Sequence, residues 1–217
     1  MERAETSNER AAVTGCILAG GLSRRMGGGD KSLRTLAGKA MLQHVIDRLK
    51  PQVGAIVLNA NGDASRFAGF GLPVQADLVE GHAGPLAGVL AGLRWAAENT
   101  PEATFVATAA TDTPFFPQNL VSRMIEATEG RRRIVLGHSG ERVHPVFGLW
   151  PVALADDLEA AVREEGLRKV LVWVHRHDNA VVDFPVRKVG EFELDPFFNA
   201  NTPEDMAIAE KLISEAA

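Results

Sequence analysis

The sequence predicts an α/β fold: one Rossmann-like domain on a mostly parallel sheet, with helices on both faces. Three observations lead there. Short apolar runs alternate with helical periodicity over the first ~130 residues, as in a parallel sheet with crossover helices. The chain has 217 residues, enough for one such core and short for two. Beyond that point the alternation breaks down, predicting a less regular, partly antiparallel C-terminal half.

Each element has its own signal. Val13 to Leu18 is a short apolar run ending in glycines, which reads as a buried strand. Leu42, Val45, Ile46 and Leu49 repeat at helical spacing, and Pro51 stops that helix. Val53 to Leu58 reads as a second strand, Ala64 to Ala68 as a short helix and Pro73 to Ala76 as a weak third strand. Leu86, Val89, Leu90, Leu93 and Ala97 mark an amphipathic helix with Pro85 near its start. Thr104 to Thr108 follows as a fourth strand and Pro117 to Thr128 as a helix. In the second half, Arg133 to Leu136 and Val143 to Trp150 read as an antiparallel pair. Val152 to Arg163 and Leu167 to Val174 read as helices, and Ala180 to Phe184 as a strand. Thr202 before Pro203 is an N-cap followed by a first-turn proline. There is no repeat or linker. Residues 1–13 are expected to be a flexible tail and 14–217 a single domain. That domain is expected in two halves, one running to about residue 130 and the other covering about 131–217.

Composition narrows the function. Hydrophobic residues make up 46% and charged residues 24%, with a net charge of −5. That balance suits a soluble globular protein and argues against a nucleic-acid-binding surface. No apolar run reaches the ~18 residues of a membrane span, and the polar start lacks the apolar core of a secretory signal. A cytoplasmic protein without membrane partners is expected. Cys16 is the single cysteine, so there is no internal disulfide and no cysteine cluster for zinc. The His175-x-His177 pair alone does not predict zinc either.

Charge is concentrated in one segment. Arg24, Arg25, Lys31, Arg34 and Lys39 lie between Ser23 and Lys39 against Asp30 alone. A compact, basic, glycine-rich segment on an acidic chain points to a small anion. Within Leu18-Ala19-Gly20-Gly21-Leu22-Ser23-Arg24-Arg25-Met26-Gly27-Gly28-Gly29-Asp30-Lys31, glycines allow backbone N–H groups close to phosphate oxygens. Arg25 and Lys31 supply charge. Asp30 stands where a P-loop needs glycine, and the spacing of Gly20, Gly21 and Gly27 does not fit a dinucleotide fingerprint. The bland alternative is a flexible basic loop. Two further places stand at strand ends: the Asn59-Ala60-Asn61 stretch and Thr111-Asp112-Thr113-Pro114. Ligands of open α/β sheets bind beyond the carboxyl ends of strands.

The glycine-rich loop resembles the signature of the molybdenum cofactor guanylyltransferases, within the wider GT-A-like nucleotidyltransferases. The resemblance continues through Leu58-Asn59-Ala60-Asn61, Asp77, Gly84-Pro85-Leu86-Ala87-Gly88, Asp112-Thr113-Pro114, His144-Pro145 and Asn199-Ala200-Asn201-Thr202-Pro203-Glu204, in family order. It implies transfer of GMP from GTP to the terminal phosphate of molybdopterin, with Mg²⁺ (or Mn²⁺) as cofactor. Arg25, Lys31 and Asp112 are the implied catalytic residues. Leu18, Ala19, Gly20, Gly21, Lys31, Asn59, Asp77, Gly84, Pro85, Leu86 and Asp112 are the implied nucleotide site. His144, Arg168, Lys169, Asn199 and Asn201 are implied on the acceptor side, and Asp112 and Asn201 as metal ligands. Implied protein partners are a molybdenum-insertion protein and apo-molybdoenzymes or their chaperones. Competing readings stay open: Asp112 as a turn or cap residue, Asn199 and Asn201 as helix caps, and Arg168 and Lys169 as a solvated helix face. A cytidylyltransferase for the same pterin, a guanylyltransferase for another phosphorylated acceptor, and a GTP-binding adaptor for cofactor delivery are the rival functions.

Overall fold

The structure is a computed structural model and describes residues 10–19, 31–79 and 84–216. In chain order the strands are β1 (Val13–Leu18), β2 (Thr35–Leu36), β3 (Lys39–Ala40), β4 (Ala55–Asn59), β5 (Val74–Gln75), β6 (Phe105–Ala110), β7 (Ile134–Ser139), β8 (Arg142–Pro151), β9 (Asn179–Asp183), β10 (Arg187–Val189) and β11 (Phe192–Leu194). The helices are α1 (Met41–Leu49), α2 (Pro85–Asn99), α3 (Leu120–Thr128), α4 (Ala155–Arg163), α5 (Val170–Val174) and α6 (Pro203–Ala216).

Seven strands form the main sheet in the order β5-β4-β1-β6-β8-β7-β9. β1, β4, β5 and β6 are mutually parallel, as are β7 and β9; β8 is antiparallel to both β6 and β7. The sheet is therefore mostly parallel, with one reversed strand in it. Side chains alternate across it, as strand geometry requires. Val13, Ile17, Ile56, Leu58, Phe105, Ala107 and Ala109 face one cluster with Leu42, Val45, Ile46 and Leu49 of α1 and Leu120, Val121 and Met124 of α3. Cys16, Val57, Val106 and Trp150 face a second cluster with α2, α4 and α5. Helices thus cover both faces, and each fully buried leucine or valine contributes about 1.5–3 kcal/mol. Among the described residues no helix is long and apolar enough to cross a membrane.

Several boundaries move from where the sequence put them. β4 begins at Ala55 rather than Val53, and α3 at Leu120 rather than Pro117. Val152–Leu154 forms a 3-10 turn before α4, and α5 is limited to Val170–Val174. The apolar spacing persists into these flanks because Val152, Leu154 and Leu167 pack, partly buried, against the core, so periodicity alone extends the helices too far. Two small antiparallel ribbons, β2–β3 and β10–β11, went unforeseen. Strands of two or three residues carry too little alternation to be read.

Helix α2 lies unusually close to β1. A Cβ added at Gly92 would sit 2.8 Å from Cys16 Sγ, and one at Gly88 would sit 2.5 Å from Asn59 Oδ1. Glycine at these two positions lets the helix pass directly over the strand ends.

Candidate active site

Register aligns the strand ends that matter. Leu18 at the end of β1 pairs with Asn59 of β4 on one side and Ala110 of β6 on the other. The connection reverses direction here, since β4 and β5 lie to one side of β1 and β6 to the other. That is the switch point where open α/β sheets bind ligands.

Short bonds join these ends into a continuous rim. The Ala19 N–H donates to Asn59 O (2.8 Å), and the Thr111 N–H reaches Leu18 O (3.4 Å). Asn59 is 3% exposed, and both its amide protons are used inside the protein, toward Gln75 O (3.1 Å) and Asp77 Oδ1 (2.9 Å). Asn61, which sequence reasoning quoted in a motif without giving it a role, completes this corner. Its amide donates to Asp77 Oδ2 (2.7 Å), and its Oδ1 accepts the Asp77 N–H (2.9 Å). Each Asp77 oxygen thus carries one bond, and a carboxylate oxygen has room for a second.

Asp112 follows β6 and is partly exposed. Its carbonyl accepts the Ala200 N–H (2.8 Å), and its Oδ1 lies 3.2 Å from Thr113 Oγ1. Thr113 Oγ1 is also 2.5 Å from Asn199 Oδ1. The late asparagine turn is therefore brought against the Asp112 loop from 86 residues away in sequence. Asn199 and Asn201 are both exposed there. Capping belongs to other residues: Asp205 N–H donates to Thr202 Oγ1 (3.1 Å), while Asp205 Oδ2 accepts from the backbone of Asn201 (2.9 Å) and Thr202 (2.8 Å). This reciprocal box between Thr202 and Asp205 caps α6.

Gly84 and Pro85 open α2 and are exposed, whereas the Leu86 side chain is wholly buried. Arg168 and Lys169 are exposed before α5, and a Cβ added at Gly84 would lie 3.8 Å from Arg168 O. The basic pair thus stands beside the start of α2. Gly20, Gly21 and Arg25 lie outside the described residues. Lys31 opens a 3-10 turn, Lys31–Leu33, and its side chain is outside the described part.

His144 sits on a distortion. Between β7 and β8 the pairing jumps from Leu136↔Gly148 to Gly137↔His144, leaving Pro145, Val146 and Phe147 as a bulge. Proline has no N–H to give a ladder, and bulges of this kind re-aim neighbouring side chains. The His144 ring stacks on Phe197 at 4.4 Å, and its Nε2 is 2.8 Å from Ser139 Oγ. Burial holds the His144 imidazole below its usual range, with nearby Arg142 and His138 adding to this and Asp195 opposing it. Phe147 meets both Phe116 of the Asp112 loop (5.7 Å) and Phe197 (4.8 Å). Aromatic contacts thus tie His144, the asparagine turn and the Asp112 loop into one unit.

Residues 15–180 match the MobA-like NTP transferase domain. The chain belongs to this family. It is 51% identical over 208 residues to the molybdenum cofactor guanylyltransferase of Bradyrhizobium sp. (strain ORS 278), covering 95% of this chain and 96% of the relative. Among solved structures, the molybdopterin-guanine dinucleotide biosynthesis protein A of Archaeoglobus fulgidus superposes with a TM-score of 0.71 at 28% identity. That match covers 93% of this chain and 99% of the other. A Mycobacterium tuberculosis protein solved in complex with manganese shares the fold at 19% identity, with a TM-score of 0.65 over 92% of this chain and 98% of its own. The chain is a nucleotidyltransferase by family.

Proposed function

We propose that this chain transfers GMP from GTP to the terminal phosphate of molybdopterin, making the guanine dinucleotide form of the molybdenum cofactor. The observation that carries the reading is the 51% identity, over nearly the whole of both chains, to a molybdenum cofactor guanylyltransferase. The rim from Asp77 to Asn199 supports it, because it gathers the expected polar groups at the sheet's switch point.

An oxygen of the acceptor's terminal phosphate attacks the α-phosphorus of GTP. The new P–O bond forms as the bond from the α-phosphorus to the bridging oxygen breaks, and pyrophosphate leaves with the electron pair. The attacking phosphate is already anionic, so no general base is required. The chain's contribution is positioning and electrostatics. Asp77 faces the nucleoside and is held by Asn59 and Asn61. Gly20, Gly21, Arg25 and Lys31 meet the phosphates, and the start of α2 at Gly84, Pro85 and Leu86 closes the nucleotide site. Arg168, Lys169, His144 and Asn199 serve the acceptor.

The donors on the rim suit a hard divalent cation: a carboxylate on Asp112 and amide oxygens on Asn199 and Asn201, with no sulfur and no imidazole between them. Mg²⁺ commonly takes one or two carboxylates and completes its shell with water and phosphate. Asp112 and Asn201 would hold it, and when bound it supplies charge neutralisation at the α-phosphate. Mn²⁺ has the same preferences. In this reading the enzyme works in the cytoplasm and hands its product to a molybdenum-insertion protein, an apo-molybdoenzyme or its chaperone.

The test is incubation with each NTP in turn, Mg²⁺ and molybdopterin, reading product mass. A GMP adduct only with GTP is expected. A CMP adduct would make the chain a cytidylyltransferase, and nucleotide binding without any adduct would leave the adaptor reading.

A further inference from the structure

Asp195 takes no part in the site as described, yet it joins two of its pieces. Its Oδ1 accepts from Ser139 Oγ (2.7 Å) and from the Phe197 N–H (2.8 Å). Ser139 is 1% exposed and sits at the end of β7. Its Oγ is also 2.8 Å from His144 Nε2. A hydroxyl has one proton, and here it goes to Asp195. The Ser139 oxygen must then accept from His144, which places the ring proton on Nε2. Nδ1 is left as the lone-pair nitrogen, in a ring that burial keeps neutral. The second Asp195 bond, to Phe197, fixes the turn on which Asn199 and Asn201 stand, and the Phe197 ring packs on His144.

We infer that Asp195 and Ser139 are positioning residues of the acceptor side, fixing His144 so that its Nδ1 accepts a hydrogen bond from an N–H or O–H donor of the acceptor heterocycle. His144 therefore recognises a donor group and not the acceptor's anionic phosphate. A neutral ring with its proton turned inward repels an anion's lone pairs, whereas it complements an N–H. This inference rests on the proposed guanylyl transfer for the identity of the acceptor.

The role of Asp195 here is geometric, since one oxygen does both jobs. Asp195→Asn retains an oxygen there and keeps both bonds, whereas Asp195→Ala loses both. The experiment measures KM for molybdopterin, KM for GTP and kcat in the wild type, Asp195→Asn, Asp195→Ala and Ser139→Ala. Melting curves and ¹⁵N NMR of histidine-labelled protein accompany them, with His144 assigned by His144→Gln. The wild type should show His144 protonated on Nε2. Ser139→Ala should mix the tautomers and raise KM for molybdopterin about tenfold, the value of one good hydrogen bond, with KM for GTP unchanged. Asp195→Asn should behave as wild type and Asp195→Ala as Ser139→Ala or worse. An inactive Asp195→Asn, an unmoved molybdopterin KM in Ser139→Ala, or an Nδ1–H tautomer in the wild type would each overturn the inference. A wild type that makes no GMP adduct defeats the proposed function instead. The tautomer measurement still decides the Ser139–His144 geometry in that case.

Discussion

At the scale of single residues, Asp112 has the sharpest consequence. Asp112→Asn preserves size and the backbone bond to Ala200, but removes the charge that would hold a divalent cation. Turnover is expected to fall at least about a hundredfold, the usual cost of losing one electrostatic element at a reacting phosphate, while the melting temperature is retained. Turnover against Mg²⁺ concentration checks it, and unchanged kinetics would return Asp112 to a turn residue. Cys16 behaves oppositely. Burial, with a smaller contribution from Asp77, pushes its thiol up to about 12, so it is protonated and covered at any ordinary pH. A thiol reagent should label the native protein at pH 8 negligibly and react fully only in guanidinium. Rapid native labelling would show that α2 lifts off β1. His144 gives a pH dependence whose sign follows from its lowered folded pKa. Above the ordinary value of 6.5 both folded and unfolded rings are neutral and the contribution is complete. As pH falls below it, the unfolded ring takes the proton first, so stability declines until the lower folded value is passed. Urea midpoints at pH 7.5 and 5.5 should fall more for the wild type than for His144→Gln.

At the scale of elements, the α2–β1 contact links stability to the nucleotide site. A methyl at Gly88 would collide with Asn59 Oδ1 and with Leu18 Cδ2, at 2.5 and 2.8 Å. Gly88→Ala should therefore cost about 1–3 kcal/mol by overpacking, despite alanine's better helix propensity. It should also raise KM for GTP by disturbing the brace on Asp77. At Gly92 the obstacle is Cys16 rather than Asn59, so Gly92→Ala should lower the melting temperature while sparing KM for GTP. Equal effects of the two variants on GTP would separate Asn59 from the nucleotide. The same elements show how much was legible beforehand. α1 and α2 could be read from apolar residues at helical spacing, and β1 and β6 because they are short apolar runs buried on both faces of the sheet. The Asn59 and Asp112 positions could be read because polar residues after apolar runs fall at strand ends, whereas Asp77 was legible only through the family resemblance. Ser139 and Asp195 could not. Each is an ordinary polar residue in its own segment, and they meet only through a bulge and a turn 56 residues apart. The bulge had a signal, Pro145 inside a strand pattern, but its size depends on tertiary contacts with Phe116 and Phe197.

At the scale of the whole molecule, both substrates should stabilise the fold through linkage, since the rim draws on β1, β4, β6 and the turn before α6. A ligand at a hundred times its Kd adds about 2.7 kcal/mol. Saturating GTP with Mg²⁺ should raise the melting temperature by several degrees, and CTP at equal concentration by clearly less. An equal rise with CTP would remove guanine selectivity from the donor site. The reversed strand β8 has a different kind of consequence. Because it runs against its neighbours, its beginning and not its end reaches the rim, and β7 and β8 meet there in a tight turn at Gly140 and Glu141. Elsewhere along the rim the connections are crossovers, where an added residue must be absorbed by the path into a helix. A two-residue hairpin tip can be lengthened without re-routing anything. On the proposed reading of this end as the acceptor side, evolution can retailor the second substrate while inheriting the donor half unaltered, and a laboratory library confined to this tip would explore new acceptors without gambling the fold.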